Sequence, residues 1–326
     1  MVTPLGHGDQ VAAFRDAMAQ GRMHHAWLLA GPQGVGKAMF AAAAAARYLA
    51  EGTDRPPAAP GLDVAEDHPT ARLIAAGSHP DHRVLQRLPR DKTGDLARNI
   101  TIDQVRALQP FFAVTPSMSP RRAVIIDAID DLERPAANAL LKNLEEPPAD
   151  TLFLLISHAP GRLLPTIRSR CRLIRFGPLD DDVMTVAIRR MLPDIAEDEV
   201  AALVADGGGA PGRALRYAGL DLAGMDRALV QLARHGDPSG AERIVLAKSL
   251  ALKAAQPRYE LFLERLPAFI AGEAKQRSGD ALVTAIALWE KARLLAEGAV
   301  RLSLDPQTTV FELATMAAGL APAHGH

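Results

Sequence analysis

Three stretches of the chain are apolar without alternation: "HAWLLAG" at 25–31, "RRAVIID" at 121–127 and "TLFLLIS" at 151–157. A strand with one wet face alternates, whereas a strand covered on both faces reads as a continuous apolar run. "HRVLQRL" at 82–88 and "CRLIRF" at 171–176 are further short strands. Helical spacing fills the intervals. Val11, Phe14 and Met18 share one face of a short helix, and a second helix is predicted from about 37 to 49. "TIDQVRALQPFF" starts a helix at an N-capping Thr101, with Ile102, Val105 and Leu108 on one face. "AANALLKNLEEPP" is a helix closed by two prolines, which cannot continue it. Strands alternating with helices predict an α/β domain: a parallel sheet with helices on both faces. The Pro- and acid-rich "EGTDRPPAAPGLDVAEDHPT" reads as an exposed loop or flexible excursion.

After residue 178 the strand signals stop. "DDDVMTVAIRRML", "AEDEVAALVADGGG" and "APGRALRYAG" read as a small helical unit. From about 220 "YELFLERLPAFIAG" and "ALVTAIALWEKARLLAEGAV" carry broad apolar faces, wider than one small domain needs to bury. The expected division is an α/β domain over 1–178, a helical lid over 179–219 and an all-α domain over 220–326.

Composition narrows the function classes. The 326 residues are 48% hydrophobic, enough for a large core, and the net charge of -1 argues against a globally basic nucleic-acid binder. Cys171 is the only cysteine, so no intrachain disulfide forms and a reducing cytoplasm fits. The small-residue run at 41–46 does not extend far enough to span a bilayer. The opening "MVTPLGHGDQ" lacks the basic start and apolar stretch of a secretory signal.

"GPQGVGK" follows the first strand and opens a helix. Gly31, Gly34, Gly36 and Lys37 fit the phosphate-binding pattern, in which backbone N–H groups at a helix N-terminus face a phosphate. The next position, where a hydroxyl holds Mg²⁺, is Ala38. "AVIID" places Asp127 at a strand end, where such proteins keep a metal-associated carboxylate. In ring ATPases the following residue is commonly the glutamate that orients the attacking water. Here it is Ala128, and Asp130 is expected to face elsewhere. Both gaps predict absent or very slow hydrolysis, with binding still open through Lys37 and the loop amides.

From Pro160 to Leu179 the chain carries Arg162, Arg168, Arg170, Arg172 and Arg175 with no acid. Most of these fit a solvated basic face or ion pairs. Arg170 differs by its setting, "TIRSRC". With "AANALLKNLEEPP" and "TLFLLISHAPGRLLPTIRSRCRLIRF", the segment resembles the AAA+ subunits of bacterial sliding-clamp loaders, over roughly residues 5–218. Ser169, Arg170 and Cys171 match the Ser-Arg-Cys motif of that family, whose arginine reaches the ATP of a neighbouring subunit. The resemblance implies a P-loop AAA+ domain, a lid and a helical collar. It implies a non-motor subunit whose partners are the ATP-hydrolysing and other loader subunits, the sliding clamp and primed DNA, the last through the assembled complex. It puts Ser157 where ring ATPases sense the γ-phosphate, a place a plain strand-end serine suits equally, and Arg213 where the lid's sensor arginine lies. No cofactor is required; ATP or ADP binding stays open. The family often carries a four-cysteine zinc module between the first helix and the His-Pro-Asp segment, but the interval 51–77 holds no cysteine. His68, His79 and His82 have no compact tetrahedral spacing, so no zinc or other metal is expected. An active ring-ATPase motor and a small-molecule P-loop kinase are the competing readings.

Overall fold

A computed structural model describes residues 5–89 and 96–322. Residues 1–4 of the N-terminal segment, and 323–326 at the end of the expected C-terminal domain, lie outside the described residues. The chain divides into two compact units, Met1–Pro193 with Gly207–Arg213, and Asp194–Asp206 with Ala214–His326.

The first unit contains α1 (Gly8–Ala19), β1 (Ala26–Ala30), α2 (Lys37–Ala50), α3 (Pro69–Ala75), β2 (His82–Gln86), α4 (Ile102–Arg106), α5 (Leu108–Ala113), β3 (Arg122–Asp127), α6 (Arg134–Glu145), β4 (Thr151–Ser157), α7 (Pro165–Arg168), β5 (Arg172–Arg175) and α8 (Asp181–Met191). Its five strands form one parallel sheet in the order β2-β3-β4-β1-β5. The three continuously apolar runs are its three central strands, and every residue of β1 and β4 is buried. Side chains alternate between two cores. Trp27, Leu29, Ile125, Leu154 and Ile156 meet Phe14 of α1 and Phe40 of α2. Leu28, Val124, Ile126, Phe153 and Leu155 meet Val105 of α4, Phe111 of α5 and Leu140 of α6. Helices therefore cover both faces, as the pattern predicts.

Two local expectations change. The helix expected over 101–112 is two short ones meeting at Ala107. Pro110 cannot donate to the carbonyl of Arg106, and its ring would crowd that carbonyl, so the helix restarts and the proline sits in the first turn of α5. Thr101 does cap α4, in a reciprocal box with Gln104. The Pro-rich segment after α2 is not a free excursion. Arg47, 2% exposed, donates to the carbonyls of Pro57 (2.9 Å), Ala59 (2.7 Å) and Asp63 (3.1 Å) and pairs with Glu51 at 2.9 Å. Leu62 and Val64 are buried beneath it.

The second unit is helical. α9 (Glu197–Gly207) belongs to it except for its last glycine, and α10 (Pro211–Ala214) contributes its last alanine. α11 (Leu222–His235), α12 (Ala241–Leu250), α13 (Gln256–Ala274), α14 (Gly279–Arg301) and α15 (Pro306–Ala318) complete it. Arg265 of α13 ties it together, reaching Asp206 of α9 at 2.5 Å and Asp226 of α11 at 2.5 Å. Glu199 accepts from the N–H groups of Leu222 and Ala223 at the start of α11. Among the described residues no helix is long and apolar enough to cross a membrane.

The ring of Phe40 is fully buried and packs edge-on against Phe14 and Phe176. Phe40→Ala is expected to lower the stability of the first unit by about 3–5 kcal/mol, the cost of a cavity among well-packed rings. Urea unfolding followed by Trp27 fluorescence in a Trp289→Phe background reads that unit.

Candidate functional site

The parallel register pairs Ala30 with both Ser157 and Arg175, and Asp127 with Ile156. The C-terminal ends of β1, β3 and β4 thus open on one edge, and the glycine loop leaves from that edge. Gly31 donates to the carbonyl of Ser157 at 3.2 Å, and a Cβ on it would collide with the carbonyl oxygen of Phe176. Gly34 has φ +85°, where a Cβ would lie 2.7 Å from the Arg213 nitrogen. Its carbonyl accepts from Gly212 at 2.9 Å. Gly36, with φ +106°, is the N-cap of α2. The loop has the turn geometry that its glycines predict.

Lys37 is 3% exposed. Its Nζ turns back into the loop and donates to the carbonyls of Gly31 (2.6 Å) and Pro32 (2.5 Å). Burial pulls its pKa down to about 8, although Asp127 and Asp130 favour the charged form. Burial also raises the Asp127 carboxyl above the usual range, against the pull of His158 and Lys37. His158 is lowered, first by burial and then by Lys37. The histidine was not singled out from sequence; its place directly after the Ser157 strand end was the available signal.

Asp130 does not face away. A turn at Ile129–Asp131 swings its carboxylate onto the end of β4. There it accepts from Ser157 Oγ (2.9 Å), His158 N (2.6 Å) and Ala159 N (3.2 Å). The Ser157 hydroxyl is buried and its proton is committed to that carboxylate. Arg213 is exposed in α10, next to the Gly212–Gly34 contact. Ala38 is exposed and Ala128 buried. The loop's donors suit a phosphate once Lys37 releases the carbonyls it now holds. No hydroxyl at Ala38 and no carboxylate at Ala128 is available for Mg²⁺ or for water activation.

The Ser-Arg-Cys motif follows α7 and leads into β5. Ser169 Oγ donates to the carbonyl of Thr166 at 3.1 Å. Arg170 Nη1 donates to the same carbonyl at 2.9 Å, and its Nη2 meets Glu145 Oε1 of α6 at 2.9 Å. Cys171 is partly buried against the core that holds Leu28 and Phe153, and burial pushes its thiol up to about 12. The motif and the glycine loop are separate features of the same unit. Of the neighbouring arginines, Arg172 lies over the Trp27 ring and Arg168 reaches the Pro160 carbonyl at 3.5 Å.

His68 and His79 of the 51–82 region have local tasks, whereas His82 is simply half-buried. His68 caps α3 by accepting from Thr70 N, and its other nitrogen meets the Arg55 carbonyl. His79 accepts from Asp81 N, and burial drives His82 down to about 4. Among the described residues no group of three or more His, Cys, Asp or Glu is placed to hold a metal ion.

A family model described as DNA polymerase III, delta subunit, matches residues 6–180. The chain is 40% identical to the DNA polymerase III subunit delta' of Pseudomonas aeruginosa over 196 residues, 60% of this chain and 56% of that one. It is 34% identical to the delta' subunit of Bacillus subtilis over 165 residues, covering 50% and 45% of the two chains. For the Escherichia coli delta' subunit the identity is 32% over 169 residues, covering 52% and 48%. The chain thus spans about half the length of the curated relatives it matches. A gamma-subunit-related DNA polymerase III protein of Thermotoga maritima is similar with a TM-score of 0.46 and 17% identity, over 94% of this chain and 98% of that one.

Lys37 makes stability depend on pH. Its ammonium titrates near 8 in the folded chain, against an ordinary value of 10.5. Between those values the unfolded chain binds more protons, so this residue's contribution to stability rises as pH climbs from 8 to 10.5 and is flat below 8. In urea titrations at pH 7.5 and 9.5, wild type is expected to gain on Lys37→Met at the higher pH. A constant gap would mean that Lys37 titrates normally.

Proposed function

The chain belongs to the DNA polymerase III, delta subunit family, and from that premise we propose that it is a delta-prime-type, non-motor subunit of a sliding-clamp loader. The observation that carries this reading is one pairing within the first unit. The phosphate loop has alanine at the metal-holding position 38 and after the strand-end acid at 128, while Arg170 stands half exposed in an intact Ser-Arg-Cys motif. Phosphoryl transfer is catalysed mostly by positioning and by charge stabilisation. A chain lacking the metal ligand and the water-orienting group contributes little to its own site. It contributes to another site by lending a guanidinium, which stabilises charge building on a neighbour's phosphates.

In this reading the partners are delta, the tau/gamma ATPase subunits, the sliding clamp and, through the assembly, primed DNA. The near-neutral charge supports leaving most phosphate contacts to the other subunits. The helices from about 220 onward act as a collar. Val283, Ile286 and Leu294 form an exposed stripe on α14, which supports partner contacts there. Segment 179–219 acts as a lid. ATP or ADP is compatible with the loop amides and Lys37, with Arg213 beside them, but is not required. Zinc plays no part, and the setting is cytoplasmic.

The isolated chain is expected to show ATP turnover at background level in a steady-state phosphate-release assay. Motor-like turnover abolished by Lys37→Ala would favour the ATPase-motor reading instead. In a complex reconstituted with the proposed partners, Arg170→Ala is expected to assemble normally. It should lower DNA- and clamp-stimulated ATPase severalfold and clamp loading further. Arginine fingers are worth about 10³–10⁵ at the site they face, diluted here by the sites that keep theirs. Arg170→Lys should rescue poorly, because an ammonium lacks the planar fork. Wild-type loading by Arg170→Ala would leave the motif a structural turn only.

A further inference from the structure

We infer that Glu145 is a positioning residue for Arg170, a role that rests on the in-trans reading of that arginine. A guanidinium carries five N–H donors in a planar fork. In Arg170, Nη1 donates to the Thr166 carbonyl at 2.9 Å, and Nη2 forms an ion pair with Glu145 Oε1 at 2.9 Å. The remaining N–H groups are left for an acceptor that arrives from outside. Thr166 is a local anchor, one turn back along α7. Glu145 is a distant one, on the last turn of α6. Anchors on two different nitrogens set the plane of the fork, whereas either alone lets it swing. The platform under Glu145 is itself held. The Leu144 carbonyl is bonded to His25 Nε2 at 3.0 Å, and Pro147 stops the helix from continuing.

The same pair could instead restrain the arginine from reaching a neighbour, and magnitudes decide between the two. The Arg170 and Glu145 side chains are 34% and 47% exposed. An ion pair this open biases a side-chain equilibrium by a factor of about five at most. The charge a finger meets in phosphoryl transfer changes rates by about 10³–10⁵. A tether so weak cannot withhold the fork. It can remove rotamers from a long side chain before the reaction, and catalysis by orientation depends on that loss being made in advance.

The test uses the reconstituted loader with Arg170→Ala, Glu145→Ala, Glu145→Lys, Glu145→Gln and the double variant Glu145→Ala with Arg170→Ala. Thermal unfolding and co-elution verify folding and assembly. Glu145→Ala is expected to slow the site that Arg170 faces about twofold to fivefold, the range an exposed pair permits, and so to lower kcat for stimulated ATP turnover of the complex by a part of the Arg170→Ala loss, with KM for ATP unchanged. Glu145→Lys should lower it at least as much. Glu145→Gln, which keeps the side chain's shape but removes the charge of the ion pair, should recover little of the loss. In the Arg170→Ala background, Glu145→Ala should add nothing. If Arg170→Ala lowers turnover while Glu145→Ala leaves it unchanged or raises it, the positioning role is overturned and the finger stands. An equal loss from Glu145→Ala in both backgrounds overturns it too, because Glu145 would then act by another route. Unchanged turnover in Arg170→Ala overturns the in-trans reading, and this role with it.

Discussion

The constraint on which the first unit depends is the burial of its central strands on both faces. β1 and β4 have no wet side, so neither can lie at an edge, and helices must cover the sheet above and below. The pairing is parallel, so each strand is reached by a crossover that returns the chain to the same end. That requirement brings Gly31, Asp127 and Ser157 to one edge although they are far apart in sequence. A nucleotide site in such a sheet is a by-product of register before it is a matter of particular side chains. Under the proposed reading the framework survives a loss of chemistry: Ala38 and Ala128 change which groups the edge presents without touching what holds it in place.

The apolar runs and the capping residue Thr101 made the sheet and most helices legible, since both signals are local in sequence. The break at Ala107 was legible in principle, because Pro110 lies within the predicted helix; the apolar spacing across it hid the break. Asp130 was misjudged for a different reason. Spacing along an extended strand says nothing about a tight turn that begins at Ile129, and that turn redirects the carboxylate onto Ser157. Glu145 could not be associated with Arg170 from the sequence at all. The pair is made by packing the end of α6 against the α7–β5 turn, and a solvated glutamate on a helix has the same sequence signature.

The two charged features of the site sit in contrasting surroundings. Lys37 is enclosed, is held by backbone carbonyls of its own loop, and has its pKa lowered by burial. Arg170 is open, is held by one carbonyl and one carboxylate and keeps donors to spare. Enclosure suits a residue that maintains a loop. Partial exposure suits one that must meet something from outside its own chain. Arginine is the better residue for the second task, since its charge does not depend on its surroundings across any physiological pH.

Arg47 organises the segment between α2 and α3 by collecting carbonyl oxygens. Thiolate zinc clusters order comparable lengths of chain by coordination, which ties their folding to metal supply and to the reduction of cysteine. A guanidinium bound to peptide oxygens has neither dependence. Chelators have nothing to extract from it, and oxidants have no sulfur to attack. The segment is thus ordered by groups that every cell supplies with the polypeptide itself, and its integrity is insulated from the metal and redox status of the compartment in which the chain folds.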